Sequence, residues 1–143
     1  MKTVSILLAI IISSFLLTNC DEDDNNTSVP CGQYAIISNS EYSSAPTDFL
    51  IINSLSITGE CFTINFSASG CSGDTWEVKL IDSGAIMESY PLQRNLILSL
   101  KNEEECEAFI TKEMTFDISN LQVDDNPILL NITNTDDQIL YEY

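Results

Sequence analysis

Cysteine is the residue type in this chain whose chemistry stands out, at positions 20, 31, 61, 71 and 106. An odd set cannot pair completely within one molecule, so one thiol must have another use. Cys20 is the one set apart: it stands in "LLTNCDEDDNN", between an apolar run and four consecutive acids, where modification of the sulfur makes more sense than burial. Cys31, Cys61, Cys71 and Cys106 then form an even, widely spaced set in a chain without histidine. Such a set reads as two disulfides, for which three connectivities exist. Zinc is disfavoured, because there is no CxxC pair and no imidazole to complete a tetrahedral shell.

The residues before Cys20 explain what its sulfur is for. Lys2 is followed by an almost unbroken apolar stretch from Val4 to Leu17, and residues 1–19 read as a signal peptide. The stretch is shorter than the roughly 20 residues needed to cross a bilayer's hydrocarbon core, so a permanent transmembrane helix is the weaker reading. Leu17-Thr18-Asn19-Cys20 resembles the bacterial lipobox, which implies a diacylglyceryl group on the Cys20 sulfur. Each buried acyl CH₂ contributes about 0.8 kcal/mol to membrane affinity, so two or three chains anchor a protein firmly. Residues 20–30 are then expected to be a flexible tether, too charged and too poor in apolar groups to offset the cost of ordering the backbone. The acids Asp21, Glu22, Asp23 and Asp24 resemble the export signal that sends lipoproteins of the Bacteroidota to the outer face of their outer membrane.

Charge narrows the partners. The chain has 22 acids against 5 bases and a formal net charge of −17. Nucleic acid is excluded as a partner, since phosphate binding needs clustered cations and Lys79, Arg94, Lys101 and Lys112 are dispersed. An acidic, self-repelling surface suits a protein displayed outside a cell.

The elements that must position these cysteines are strands. Residues 31–143 suffice for one domain with a single core. "CFTINFSAS" alternates with Phe62, Ile64, Phe66 and Ala68 on one face, the period of a half-buried strand. "TWEVKLI" and "EMTFDIS" repeat the pattern, and "YAIIS", "FLIINSLSIT", "NLILSL", "PILLNIT" and "QILYEY" complete the set of candidates. Gly59-Glu60 fits a two-residue type II′ hairpin turn, and Pro91 and Pro127 belong at strand starts or edges. Cys106, Ala108 and Ile110 run in phase with Met114, Phe116 and Ile118, which predicts one long strand from Cys106. The expected fold is an all-β, antiparallel sandwich of about seven or eight strands, immunoglobulin-like in general architecture. Cys71 would end one strand and Cys106 begin another, so the preferred pairing is Cys31 with Cys61 and Cys71 with Cys106. Trp76 follows Cys71 by five residues, too closely for the immunoglobulin arrangement of core tryptophan and disulfide.

"SLSITGECFTINFSASGCSGDTWEVKLI", followed by "CEAFITKEMTFDIS", resembles small surface lipoproteins of flavobacteria and other Bacteroidota, over about residues 54 to 120. That resemblance implies a location and a β fold; those proteins are mostly of unknown function.

Few residues point to catalysis. Without histidine, the usual Ser/His/Asp and Cys/His sites cannot be built, and no two acids are marked by sequence as facing across a cleft. Calcium is the most plausible ion, with candidates Asp124 and Asp125 in "VDDNP" and Asp136 and Asp137 in "NTDDQ", although neither segment has the alternation of a calcium loop. Trp76 is the binding candidate, with Tyr34, Tyr42, Tyr90 and Tyr141 as possible members of an aromatic platform for a glycan or a protein. The alternation of Trp76 with Val78 and Leu80 favours a place in the core instead. Asn25, Asn26, Asn65 and Asn131 fit an N-x-S/T pattern that carries little weight in a bacterial lipoprotein. The expectation is a membrane-anchored, cofactor-free binding or structural module of the cell envelope, not an enzyme. A small carboxylate-dependent hydrolase or a calcium-dependent adhesion unit is the reading from another class.

Overall fold

A computed structural model describes residues 31–143. Its strands are β1 (Gln33–Tyr34), β2 (Ile36–Ile37), β3 (Ile51–Thr58), β4 (Cys61–Gly70), β5 (Glu77–Met87), β6 (Leu92–Lys101), β7 (Ala108–Asp117), β8 (Ile128–Ile132) and β9 (Asp137–Tyr141). One helix, α1 (Asn39–Ser44), and a 3₁₀ turn over Ser119–Leu121 complete the elements. The strands form two sheets, a four-stranded one in the order β1-β7-β4-β3 and a five-stranded one in the order β2-β5-β6-β8-β9.

The core is where the alternating apolar residues meet. Phe62, Ile64, Phe66 and Ala68 of β4 pack against Leu80 of β5 and Leu96, Leu98 and Leu100 of β6, with Ile128, Leu130 and Ile132 of β8 extending the layer. Each such side chain removed from water contributes about 1.5–3 kcal/mol, so this two-faced apolar layer is the main force closing the sandwich.

The expected antiparallel sandwich is corrected to a mixed one. β1 pairs with β7, β2 with β5 and β6 with β8 in parallel, while β3–β4, β4–β7, β5–β6 and β8–β9 are antiparallel. Alternation has the same period in both orientations and cannot distinguish them. A parallel neighbour needs a long connection, and the chain between β6 and β8 uses its connection to build β7 in the opposite sheet.

Three boundaries also differ. The "YAIIS" segment is split at buried Ala35: β1 joins one sheet and β2 the other, with the Ala35 amide donating to Asp117 O at 2.9 Å and its carbonyl accepting from Asn120 Nδ2 at 2.7 Å. β7 begins at Ala108 and not at Cys106: in the segment before it the amides of Asn102 and Glu104 donate to the side chains of Asp48 and Asn102, and Cys106 is bonded to Cys71. The α1 helix, not expected from the sequence, follows directly on the first expected strand, whose last residue becomes its N-cap: the Ser38 hydroxyl accepts from the Glu41 amide at 3.2 Å. The hairpin at Gly59 has φ +59° there and no positive φ at Glu60, as a type II′ turn requires. Pro91 and Pro127 directly precede β6 and β8.

Inside the five-stranded sheet lies an ion pair. Arg94, the only arginine of the chain, donates from Nε to Asp82 Oδ2 at 2.9 Å and from Nη2 to Oδ1 at 2.8 Å. The two side chains are 6% and 0% exposed. Asp82 stands at a bulge where the β5–β6 register shifts, and its Oδ1 also accepts the Gly84 amide at 2.7 Å.

Removing one partner of this pair strands the other. Arg94→Met is expected to lower stability by about 3–5 kcal/mol, because the Asp82 carboxylate would stay buried and uncompensated. Combining it with Asp82→Leu should recover most of that loss. Urea unfolding of the two variants checks this, and a double variant no more stable than the single one would contradict it.

Candidate functional site

Two places on the domain gather polar or aromatic groups beyond what packing requires. One is the loop from Cys71 to Trp76 between β4 and β5, which sits against residues 102–107 between β6 and β7. The Cys71–Cys106 disulfide joins the two loops, with Cα atoms 4.8 Å apart, and Cys31–Cys61 joins the start of β4 to the residues before β1, with Cα atoms 5.0 Å apart. These are the pairings preferred from the position of the cysteines along the strands.

Beside the Cys71–Cys106 bond, the Glu104 carboxylate occupies a cradle of backbone donors. Its Oε2 accepts the amides of Cys71, Ser72 and Gly73, the latter two at 3.0 Å, and its Oε1 accepts the Thr75 hydroxyl at 2.9 Å. Successive amides turned toward one point form a nest for an anion. Asn102 holds the far side, accepting the Glu104 amide at 2.9 Å and donating to Ser69 O at 2.6 Å. Hydrogen bonding to the charged form, from the Gly73 amide above all, holds the Glu104 carboxyl at about 2. A carboxylate so stabilised as an anion is a poor proton donor or acceptor near neutrality, so its role is to fix the loop. Asp74 is also held below the usual carboxylate range, by its hydrogen bond to the Lys112 ammonium at 3.1 Å.

Trp76 completes this end of the sandwich. It is half-buried, with its ring centroid 6.1 Å from that of Phe66. A Cβ on Gly70 would come within 2.9 Å of the indole and 2.6 Å of Glu104 Oε2, so only glycine lets both approach. The indole Nε1 is buried without a hydrogen-bond partner among the described residues. Trp76 therefore acts as a wedge at the core margin, packed against the buried cluster.

The second place is the outer face of the four-stranded sheet. Residues of β4, β7 and β3 that point away from the core form a ladder of hydroxyls and amides: Thr63 with Thr115 at 3.0 Å, Ser67 with Thr111 at 2.7 Å, and Asn53 donating to Asn65 and Ser67 at 2.9 and 2.8 Å. At one end of this ladder Ile51 and Phe109 are exposed, with Ile51 opposite Ser67 and Phe109 opposite Ser69; Phe49, just before β3, is exposed as well. α1 packs on β5 of the other sheet, and no described element packs on this face. Phe49 and Phe109 were not singled out from the sequence, where each reads as an ordinary strand residue; the parity of Phe109 against Ile110 and Phe49 against Leu50 was the available signal.

The remaining candidates are dispersed. Cys20, Asp21, Glu22, Asp23 and Asp24 lie outside the described residues. Asp124 and Asp125 precede β8, while Asp136 and Asp137 follow it, so the five residues of that strand hold the two calcium candidates roughly 17 Å apart. No group of three or more Asp, Glu, His or Cys side chains suited to a metal occurs among the described residues. The tyrosines do not join Trp76 in a platform: Tyr141 is buried against Tyr143 with ring centroids 4.7 Å apart, Tyr42 bonds Thr133 at 2.6 Å, and Tyr34 and Tyr90 are exposed elsewhere. No protein-family model, curated protein or solved structure matches the chain.

Glu104 gives this end of the domain a pH dependence. Its folded value, about 2, lies below its ordinary 4.5, so its contribution to stability is complete above about 4.5 and is lost as pH falls toward 2. Glu104→Gln should melt at a lower temperature than the parent at neutral pH, with the gap closing between pH 4.5 and 2; a gap independent of pH would contradict the nest. Ser at both Cys71 and Cys106 should cost about 2–5 kcal/mol while strand content by circular dichroism persists, since the bridge closes a long loop in the unfolded chain.

Proposed function

We propose that this protein is a lipid-anchored protein of the cell envelope, held in the outer membrane through Cys20 and displaying its β domain as a binding or structural module. The observation that carries this reading is the pairing of the cysteines. Cys31 with Cys61 and Cys71 with Cys106 account for all four thiols of the domain, and Cys20 is left over at the end of an apolar run, in the sequence Leu17-Thr18-Asn19-Cys20. Two disulfides in so small a domain also suit an oxidising, extracytoplasmic setting. The acids at 21–24 support display on the outer surface, as in the Bacteroidota lipoproteins that the chain resembles.

A binding role fits the domain better than catalysis. Glu104 is committed to its backbone cradle, and Asp82 is closed off by Arg94. The outer face of the four-stranded sheet, with Ile51 and Phe109 beside a ladder of hydroxyls, is where a protein or glycan would dock.

Replacing Cys20 with Ser removes the acyl acceptor. The variant should leave the membrane fraction or remain unprocessed at its full mass; unchanged fractionation and migration would overturn the anchor. Ala at Asp21, Glu22, Asp23 and Asp24 should preserve acylation but abolish cleavage of the domain by protease added to whole cells. Equal cleavage would show that these acids serve only as a spacer.

A further inference from the structure

Several exposed apolar residues of the domain, apart from Phe109 on the outer sheet face and Leu140 and Tyr143 at the C-terminal end, lie near where the chain enters the fold. Tyr34 of β1 and Ile37 of β2 are 47% and 45% exposed, three and six residues after Cys31. Ile37 lies opposite Asp82 in the β2–β5 register, and its Cγ2 would be 3.8 Å from a Cβ on Gly84. Two residues beyond Gly84, Ile86 is 43% exposed, and Tyr90, in the connection from β5 to β6, is fully exposed. β1 and β2 are too short to cover this margin, since each pairs over two residues only.

Its charge is also unlike that of the rest of the chain. Residues 31–38 carry no ionisable side chain other than the bonded Cys31 and Tyr34, and residues 83–91 carry Glu88 and Tyr90 alone, in a chain with 22 acids. Of the buried charges nearby, Asp82 is neutralised by Arg94, while Asp117 lies opposite Tyr34 in the β1–β7 register. The two chain segments that meet at the entry of the N-terminal segment are thus nearly uncharged in their own side chains, with Asp125 beside Tyr90.

From this position we infer that Tyr34, Ile37, Ile86 and Tyr90 form the face that rests on the lipid bilayer, an inference that depends on the proposed anchor at Cys20. Tether length favours it. A coil of eleven residues, the length of the proposed tether, would span about 18 Å, whereas a domain of this size is roughly 34 Å across, so such a tether would keep the half of the surface around Cys31 within reach of the headgroups. Tyrosine and isoleucine suit that depth, with apolar bodies against acyl chains and the tyrosine hydroxyls among headgroups. With no lysine or arginine among residues 31–38 and 83–91, attraction to anionic lipid is not the driving force, and the contact should form on zwitterionic lipid.

The test uses the protein extracted from cell membranes with its own anchor and placed in phosphatidylcholine nanodiscs doped with a gadolinium-chelate lipid. Amide resonances of residues 34–37 and 84–90 should broaden several-fold more than those of residues 72–74 and 104–107. Tyr34→Ser with Tyr90→Ser, which alters only exposed rings, should remove that contrast while leaving the fold's chemical shifts in place. Uniform broadening, or broadening centred on Phe109, in a protein whose intact mass shows acylation would overturn the resting face alone. An unmodified Cys20 in the intact mass would overturn the anchor and this inference with it. Protection of the same amides without lipid, accompanied by a doubled mass in solution, would assign the face to a second copy and also overturn it.

Discussion

Asp82 ties together three parts of this fold. Its carboxylate binds Arg94 across the interior of the five-stranded sheet and the Gly84 amide within its own strand. Its carbonyl accepts the Ser38 amide at 3.0 Å, which sets the start of α1, and its register partner is Ile37 of β2. One buried acid therefore fixes the bulge of β5, the docking of the short N-terminal strand and the entry of the helix. A buried charge is costly unless it is paired and hydrogen-bonded, and here both carboxylate oxygens accept, Oδ1 from Arg94 and Gly84 and Oδ2 from Arg94. The network also gives the interior a single register, because sliding β5 past β6 would separate the only buried cation among the described residues from its partner.

Strand content was legible because one-sided burial leaves a period of two. Phe62 to Ala68 and Leu96 to Leu100 show it plainly, and both prolines and the Gly59 turn fall where local geometry demands. Orientation was not legible, since β6 and β8 alternate identically whether parallel or antiparallel. The switch of sheets at Ala35 was hidden for a related reason: "YAIIS" is apolar on both sides of the crossing, and a small residue at the crossing point leaves no distinct mark. A signal for α1 was present in Ser38 and Glu41, spaced as a capping box, but the preceding isoleucines read as strand.

The candidate sites divide along a similar line. Covalent chemistry of cysteine can be argued from number and position, so the domain's two bonds were within reach of sequence. Glu104 was not, because among Glu103, Glu104, Glu105 and Glu107 nothing distinguishes the one carboxylate that meets three backbone amides. Its significance comes from the conformation of a loop 30 residues away. Trp76 drew attention by its type and proved to be a packing element, whereas Phe49 and Phe109 owe their interest to exposure, which an alternating pattern predicts only once the two faces of the sheet have been assigned.

The Cys31–Cys61 bond has a mechanical meaning. Any tension applied through the residues before Cys31 reaches the domain at β1, which is paired over only two residues and would peel away under small loads. The disulfide bypasses that weak point and passes the load directly to β4. β4 is flanked on both sides, by β3 and by β7 over ten residue pairs, so force enters at the best-supported strand of its sheet and is resisted in shear along many hydrogen bonds at once. A domain pulled from its N-terminal side is thereby held at its centre.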